Sequence, residues 1–222
     1  MEPLILLKRL RLFQGLEDET LALLASEARM RQCAQGELIF QQGGPAESFF
    51  VLVQGAVKLF RSTAEGREQT LYLVEQGEPF CLCTMFFQQS VPVNAQAIIP
   101  SLVLAFPGRF LERHARQRPQ LLFNILHVLN ERLMGSMQMI EDLALRDIQQ
   151  RMASFLLHSL HRDGASDRVT LSVPRQEVAK ILGTTPETIS RVLARMVQDG
   201  IVAAKGRQIG ILDIESLRSL AG

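Results

Sequence analysis

The sequence predicts an α+β protein with an N-terminal antiparallel β-roll, a long central helix and a C-terminal winged helix-turn-helix. Three patterns support this fold class: turn signals at regular short intervals, a heptad spacing of leucines, and two closely spaced amphipathic helices near the C-terminus. Each pattern occupies its own part of the chain, so the elements are expected to follow one another in sequence.

The first part of the chain has the pattern of a β-roll. A short amphipathic helix is predicted over residues 16–28, with Leu16, Leu21, Leu24 and Ala28 on one side. Strand-like runs follow at Glu37–Phe40, Phe49–Val53, Val57–Phe60, Thr70–Val74 and Leu102–Phe106. Gly44, Gly55, Gly66 and Gly77 stand eleven residues apart, and turn signals at this spacing are typical of an all-β sandwich or barrel.

A long helix is predicted to open at Pro119, after a short helix from Pro107 to Ala115. We name its apolar stripe the seam, whose members recur at alternating spacings of four and three: Leu122, Leu126, Leu129, Leu133, Ser136, Ile140 and Leu143. This heptad pattern, with Ser136 as its polar exception, favours a two-stranded coiled coil and therefore a homodimer. The alternative is a helix that lies on its own β-roll, and a helix of this length has faces for both roles.

Residues 173–202 have the pattern of a helix-turn-helix. Val178, Ile181 and Leu182 give the first helix an apolar stripe, and Gly183 stands where that helix must stop. Thr185 is predicted to cap the second helix, with Pro186 at its first position. The second helix has its own apolar stripe, formed by Ile189, Val192, Leu193 and Met196. We call this second helix the recognition helix.

The free face of the recognition helix is polar and basic, because it carries Glu187, Ser190, Arg191 and Arg195. Such a face fits the DNA major groove, whereas the alternative is an ordinary helical hairpin on the surface of an enzyme. A β-hairpin, or wing, is predicted to follow, in which Ile201–Ala204 pairs with Ile209–Leu212 across a turn at residues 205–208. The further residues expected to contact double-stranded DNA are Thr184, Thr185, Arg175, Lys205 and Arg207.

The charge of the chain is unevenly distributed. Residues 148–222 hold ten Lys and Arg against seven Asp and Glu, whereas residues 1–147 hold fourteen against sixteen. The excess of positive charge therefore lies in the segment that is expected to meet phosphate. Three cysteines do not suggest a disulfide framework. The N-terminal MEPLILLKRL is too short in its apolar run for a signal peptide, and no stretch approaches the length of a membrane span. We expect a cytoplasmic protein that makes no membrane contact.

The order of these parts resembles the Crp/Fnr superfamily of bacterial transcription regulators. The segments that carry the resemblance are GELIFQQGGPAESFFVLVQGAVKLF, IEDLALRDIQQRMASFLL and the recognition helix. It implies a β-roll like that of cyclic-nucleotide-binding domains in residues 1–118, a dimerisation helix and hinge in 119–146, and a winged helix-turn-helix in 147–222. Asp147 itself is predicted to cap the helix Ile148–His161, which makes residues 144–147 a hinge. The resemblance also implies a homodimer that senses an effector, contacts RNA polymerase and is not an enzyme.

The recognition helix looks like that of the Fnr branch. Glu187, Ser190 and Arg191 match its E-x-x-S-R pattern, and members of this branch read TTGAT-type half-sites. Arg191 can bond guanine O6 and N7 as a fork, and Glu187 can accept from a cytosine amino group. The resemblance therefore implies a palindromic TTGAT-like site.

Two familiar effectors of this superfamily are not expected here. Cyclic-nucleotide-responsive relatives hold the phosphate with an Arg-Ser pair, but the corresponding Ser90–Ala95 has no basic residue, and neither does any position between Arg67 and Arg109. Cyclic AMP would therefore lack a countercharge. An iron–sulfur cluster needs four thiolate-type ligands, and the chain has only Cys33, Cys81 and Cys83.

The pair Cys81 and Cys83 leaves three interpretations open. The pair occupies the place of the haem ligands of carbon-monoxide-sensing members of the family, so Cys81 is a candidate haem ligand with Cys83, His127 or a Met as its partner. Pro3 resembles the N-terminal proline ligand of those members. On a strand both thiols would face one side, where they can equally be small core residues or redox and soft-metal sensors. A haem-based gas sensor, a cofactor-free sensor of a small organic molecule and a regulatory module of an enzyme remain as alternatives.

Overall fold

The computed structural model describes residues 3–45, 47–82, 90–163, 167–171 and 173–222, without the side chains of residues 3, 109–112 and 162–163. The chain divides into two compact units, residues 1–134 and residues 135–222. Within the described residues, no helix is long and apolar enough to cross a membrane.

The first unit is a β-roll of two four-stranded antiparallel sheets. Its strands are β1 (Arg29–Cys33), β2 (Leu38–Phe40), β3 (Ser48–Gln54), β4 (Val57–Ser62), β5 (Glu68–Val74), β6 (Pro79–Phe80), β7 (Asn94–Ala97) and β8 (Ser101–Pro107). One sheet has the order β1-β8-β3-β6 and the other has the order β2-β7-β4-β5. The predicted fold class, a β-roll followed by a long helix and a helix-turn-helix, is confirmed.

Strand β3 is buried on both faces, which explains its uninterrupted apolar run. Phe49, Val51 and Val53 belong to one buried cluster, together with residues of the N-terminal helices and the long helix. Phe50 and Leu52 belong to the second cluster, which joins the two sheets. Because successive side chains of a strand point to opposite faces, one strand contributes to both cores.

Gly55 makes the turn between β3 and β4. Its φ is 103°, and a Cβ built there would lie 2.2 Å from the Ser101 hydroxyl oxygen. Only glycine fits both constraints, so one member of the eleven-residue glycine pattern has a clear steric reason.

Helices flank the roll. They are Pro3–Leu7, a 3₁₀ turn at Arg11–Phe13, Asp18–Glu27, Gly108–Gln117 and the long helix Pro119–Leu145. Leu121, Ile125 and Val128 of the long helix are buried in the cluster shared with the N-terminal helices. The long helix therefore lies on its own roll by one face, and Leu129 of the seam also packs against this cluster.

The second unit holds the helix-turn-helix. Its elements are the helix Ile148–Asp163, β9 (Arg168–Thr170), the helices Arg175–Ile181 and Pro186–Gln198, β10 (Val202–Lys205), β11 (Gln208–Ile211) and the helix Ile214–Ala221. The strands form one antiparallel sheet in the order β10-β11-β9.

Candidate nucleic-acid interface

The turn of the helix-turn-helix is fixed by backbone hydrogen bonds around Gly183. The first helix ends at Ile181, and the Leu182 amide still donates to the Val178 carbonyl at 3.0 Å. Gly183 then takes a φ of 65°, and the Thr184 amide donates back to the Ala179 carbonyl at 2.9 Å. The predicted stop at Gly183 is confirmed as a left-handed helix end.

The recognition helix begins as the sequence predicts. Thr185 is its N-cap, since its hydroxyl oxygen accepts from the Thr188 amide at 3.3 Å, and Pro186 occupies the first turn. Ile189, Leu193 and Met196 are buried, and they fix which face of the helix turns toward solvent. The capping oxygen satisfies an amide that has no partner within the helix.

The exposed face of the recognition helix carries Glu187, Ser190, Arg191 and Arg195. The Ser190 hydroxyl donates to the Pro186 carbonyl at 3.0 Å, so its proton is already used within the helix. The Arg191 guanidinium donates to the Thr188 hydroxyl oxygen at 3.1 Å. Hydrogen bonds from its own backbone amide and from the Thr185 hydroxyl lower the pKa of the Glu187 carboxyl below its ordinary value.

The wing is a hairpin with a tight turn. Lys205 pairs with Gln208 across β10 and β11, which leaves Gly206 and Arg207 at the tip. The Arg175 guanidinium donates to the Gly206 carbonyl at 3.1 Å, and the Leu171 amide donates to the Arg207 carbonyl at 2.9 Å. Arg175 therefore holds the wing against the first helix of the motif, while the Lys205 and Arg207 side chains are exposed.

The seam is largely solvent-exposed in the single chain. Leu122, Leu126, Leu133 and Ile140 are 42%, 52%, 57% and 67% exposed, respectively. Ser136 is also exposed, whereas Leu129 and Leu143 are half-buried. Such a row of large apolar side chains at heptad spacing is an uncovered surface within the described protomer.

In the roll, Cys81 does not have the conformation that the sequence suggested. Strand β6 ends at Phe80, and Cys81 turns into the left-handed region with a φ of 66°. The expectation of a strand that points two thiols to one side is therefore wrong at Cys81. The Cys81 side chain is buried in the cluster between the sheets, together with Cys33, and burial raises the pKa of the Cys33 thiol.

Among the other candidate haem ligands named by number, His127 is the one whose side chain the structure describes. His127 lies on the long helix with a side chain that is 71% exposed, and its Nε2 lies 3.4 Å from Glu131. Cys83 is outside the described residues, and so is the side chain of Pro3, whose backbone opens the first helix. The described residues hold no group of three or more His, Cys, Asp and Glu placed to bind a metal ion.

A polar network between the roll and the long helix escaped the sequence analysis. The hydroxyl of Tyr72 donates to Glu78 Oε1 at 2.9 Å, while the Arg132 guanidinium lies over the Tyr72 ring and donates to the Pro79 carbonyl. Burial raises the pKa of Glu78 and of Tyr72. The sequence offered one indication that this position is unusual, since Tyr72 is the single tyrosine of the chain.

Comparison with known proteins matches both units to one family. Residues 30–118 match the cyclic nucleotide-binding domain, and residues 150–220 match the Crp-like helix-turn-helix domain. The transcriptional activator protein Anr of Pseudomonas aeruginosa is 32% identical over 198 residues, which are 87% of this chain and 81% of that protein. The chain belongs to the Crp/Fnr family of transcription regulators.

Other Crp/Fnr proteins span the chain as well. The CRP-like cAMP-activated global transcriptional regulator of Mycobacterium tuberculosis is 26% identical and covers 96% of both chains. FixK2 from Bradyrhizobium japonicum superposes with a TM-score of 0.80 at 26% identity, over 88% of this chain and 98% of its own. A CooA mutant from Carboxydothermus hydrogenoformans has a TM-score of 0.77 at 21% identity, covering 90% of each chain, which establishes a shared fold alone.

The helix Ile148–Asp163 of this Crp/Fnr chain has the predicted cap at Asp147. The Asp147 carboxylate accepts from the amides of Gln149 and Gln150 at 2.8 and 2.9 Å, and the Gln150 side chain accepts from the Asp147 amide. This reciprocal arrangement is a capping box. The Arg151 guanidinium then donates to the carbonyls of Arg146 and Leu182, both at 2.9 Å, and to that of Leu143 at 3.5 Å. Arg151 was not singled out in the sequence, because its partners are backbone groups.

Proposed function

We propose that this chain is a homodimeric, effector-gated Crp/Fnr regulator that binds a palindromic TTGAT…ATCAA-like DNA site. The observation that carries this proposal is the exposed face of the recognition helix, where Glu187, Ser190 and Arg191 stand in E-x-x-S-R order on a helix capped by Thr185. The similarity to the transcriptional activator Anr supports a role in transcription regulation.

The chemistry of these side chains suits base edges in the major groove. Glu187 is an exposed carboxylate, so it can accept from a cytosine amino group. Arg191 is exposed and has donors beyond the one given to Thr188, so its fork can reach guanine O6 and N7. Ser190 has its proton in use, so it offers lone pairs and its methylene group to a neighbouring base.

Phosphate contacts are assigned to the basic side chains around this face. Lys205 and Arg207 extend from the wing, and Arg195 lies two turns into the recognition helix. Arg175 contributes from beside the wing, where one of its donors is already used. Thr184 and Thr185 stand before the helix N-terminus, which itself favours an anion. These contacts position the protein rather than read sequence.

The exposed seam supports the homodimer. Two copies of the long helix would bury Leu126, Leu133 and Ile140 against each other in a parallel coiled coil, in which these residues occupy position a of successive heptads. A dimer would present two recognition helices to the two halves of a palindrome. The proposed dimer acts in the cytoplasm together with RNA polymerase and catalyses no reaction of its own. This part of the proposal is supported by the relatives, which are transcription regulators. The same reason disfavours the regulatory module of an enzyme.

We propose an effector other than a cyclic nucleotide. Residues 90–95 lack a basic residue, and Arg61, which donates to the Pro92 carbonyl at 3.2 Å, is exposed on β4. A phosphate bound at residues 90–95 would find no basic side chain within that segment, and the Arg61 guanidinium beside it is solvated. The haem interpretation of Cys81, the core interpretation and the sensing of a small organic molecule or gas stay predictions.

Two measurements test the haem and cyclic AMP candidates. Purified protein is reconstituted with haemin for absorption spectra and, separately, titrated with cyclic AMP during DNA-binding measurements. Haem ligation predicts a sharp Soret band that shifts with CO and is lost in Cys81→Ser, while cyclic AMP should leave DNA affinity unchanged. A colourless protein after reconstitution contradicts haem ligation. An increase in affinity with cyclic AMP, abolished in Arg61→Ala, contradicts our exclusion of cyclic nucleotides.

Replacing Arg191 with alanine tests the readout. The variant should lose about 1–3 kcal/mol of discrimination at the guanine of each half-site, because the bidentate contact disappears. The measurement is fluorescence anisotropy on a TTGAT duplex and on a matched duplex with adenine at that guanine, at fixed salt. An equal loss on both duplexes would mean that Arg191 contacts only phosphate, and the proposed readout would fail.

A further inference from the structure

The Arg191 guanidinium is held by a short chain of hydroxyl groups rather than left free on the helix surface. Its Nη2 lies 3.1 Å from Thr188 Oγ1, and Thr188 Oγ1 lies 3.2 Å from Thr185 Oγ1. The Thr188 amide also donates to Thr185 Oγ1 at 3.3 Å. The three side chains therefore follow one another along the first turns of the recognition helix.

The direction of the first of these hydrogen bonds is fixed by chemistry. Arginine has no acceptor, so Thr188 Oγ1 must accept from Arg191. Thr185 Oγ1 accepts from the Thr188 amide, and the two threonine hydroxyls share a further hydrogen bond in which either oxygen can be the donor. Thr188 therefore connects Arg191 to the N-cap of the recognition helix.

We propose that Thr185 and Thr188 are positioning residues that hold the Arg191 fork in its base-reading orientation before DNA arrives. This inference rests on the proposed readout by Arg191 and adds two residues whose side chains need not touch a base. One N–H of Nη2 is given to Thr188, which leaves the second Nη2 proton and both Nη1 protons for guanine. A guanidinium already restricted in the free protein loses less rotamer freedom on binding.

The rival explanation is that Thr188 contacts DNA phosphate by itself. Removing a phosphate contact weakens DNA binding by about the same factor on every DNA sequence. A positioning role instead acts through Arg191, so its loss appears as reduced discrimination at one base pair. The two explanations therefore differ in a ratio of affinities, which a general loss of stability does not change.

The test is a double-mutant cycle on the TTGAT duplex and on the duplex with adenine in place of guanine. Thr188→Val keeps the shape of the side chain and removes the hydroxyl. It should reduce the guanine-over-adenine ratio about threefold to tenfold, as expected for one lost hydrogen bond. Thr188→Ser restores a hydroxyl and should restore the ratio. Thr70→Val, an isosteric change inside β5 of the roll, is the matched control and should leave the ratio unchanged.

The Arg191→Ala background decides between the explanations. In that background Thr188→Val should have no further effect on the ratio, because its partner is gone. An equal loss on both duplexes that persists without Arg191 would overturn the positioning role in favour of a phosphate contact. A normal ratio in Thr188→Val, with a reduced one in Arg191→Ala, would overturn the positioning role alone. If Arg191→Ala keeps a normal ratio, the proposed readout fails and this inference falls with it.

Discussion

Replacing Leu133 with aspartate should convert the proposed dimer into monomers and weaken DNA binding at least about a hundredfold. In a parallel coiled coil Leu133 would pack against its own copy, so one substitution removes two buried leucines and places two carboxylates face to face. Each leucine contributes about 1.5–3 kcal/mol when fully buried. The side chain is 57% exposed in the single chain, so the protomer itself should keep its fold. Analytical ultracentrifugation and fluorescence anisotropy give the two readouts.

Met134→Asp is the matched control for this experiment. Met134 is the next residue on the same helix, is also apolar and is 51% exposed, but it does not occupy an a or d position of the seam. It should remain dimeric and bind DNA with nearly the affinity of the parent. The proposed interface would be wrong if both variants stayed dimeric, and circular dichroism would identify a variant that had merely unfolded.

The sequence was sufficient for the helix-turn-helix because its signals are local. Gly183, Thr185 and Pro186 each act within a few residues of the chain, through a left-handed φ, a side-chain cap and a fixed φ at the first turn. The Asp147 cap is equally local, since its partners are the next amides along the chain. Interactions of this kind do not depend on the rest of the fold.

Several strands could not be predicted because their neighbours define them. Strand β7, with the sequence NAQA, has no β-branched or aromatic residue, yet it is held between β2 and β4. Strand β1 is charged and mostly exposed, and its hydrogen bonds go to β8, far along the chain. The conformation of Cys81 has the same origin, because β6 pairs with β3 only through Pro79 and Phe80 before the chain turns.

Side-chain networks between distant segments were also beyond the sequence. Arg132 meets Tyr72 and the Pro79 carbonyl only because the long helix packs on the roll through its buried face. By contrast, the seam was recognisable because its heptad spacing lies within one helix. The residues proposed to contact DNA could be named for the same reason, whereas the hydrogen bonds from Arg191 to Thr188 and between Thr188 and Thr185 are seen only in the three-dimensional structure.

Replacing Arg151 with methionine should lower the free energy of unfolding of the unit 135–222 by about 2–3 kcal/mol and weaken DNA binding about tenfold. Methionine keeps an unbranched apolar stem but removes every donor. Three carbonyls then lose a charged partner: Leu143 near the end of the long helix, Arg146 in the hinge, and Leu182 before the turn of the helix-turn-helix. Leu182 directly precedes Gly183, so the start of the recognition helix should lose restraint. Urea denaturation followed by circular dichroism measures the first effect, and fluorescence anisotropy measures the second.

Arg218→Met gives the comparison that isolates these carbonyl contacts. Arg218 is in the same unit, but its side chain is 63% exposed and only pairs with Glu215 at 2.7 Å. Removing such a surface pair should cost no more than about 1 kcal/mol. Arg151→Lys keeps the charge but cannot reach three carbonyls with a fork, so its stability should fall between that of the parent and that of Arg151→Met. If Arg151→Met were as stable as Arg218→Met, the carbonyl contacts of Arg151 would not stabilise this unit. Other contacts would then have to restrain the start of the recognition helix, and the prediction would be wrong.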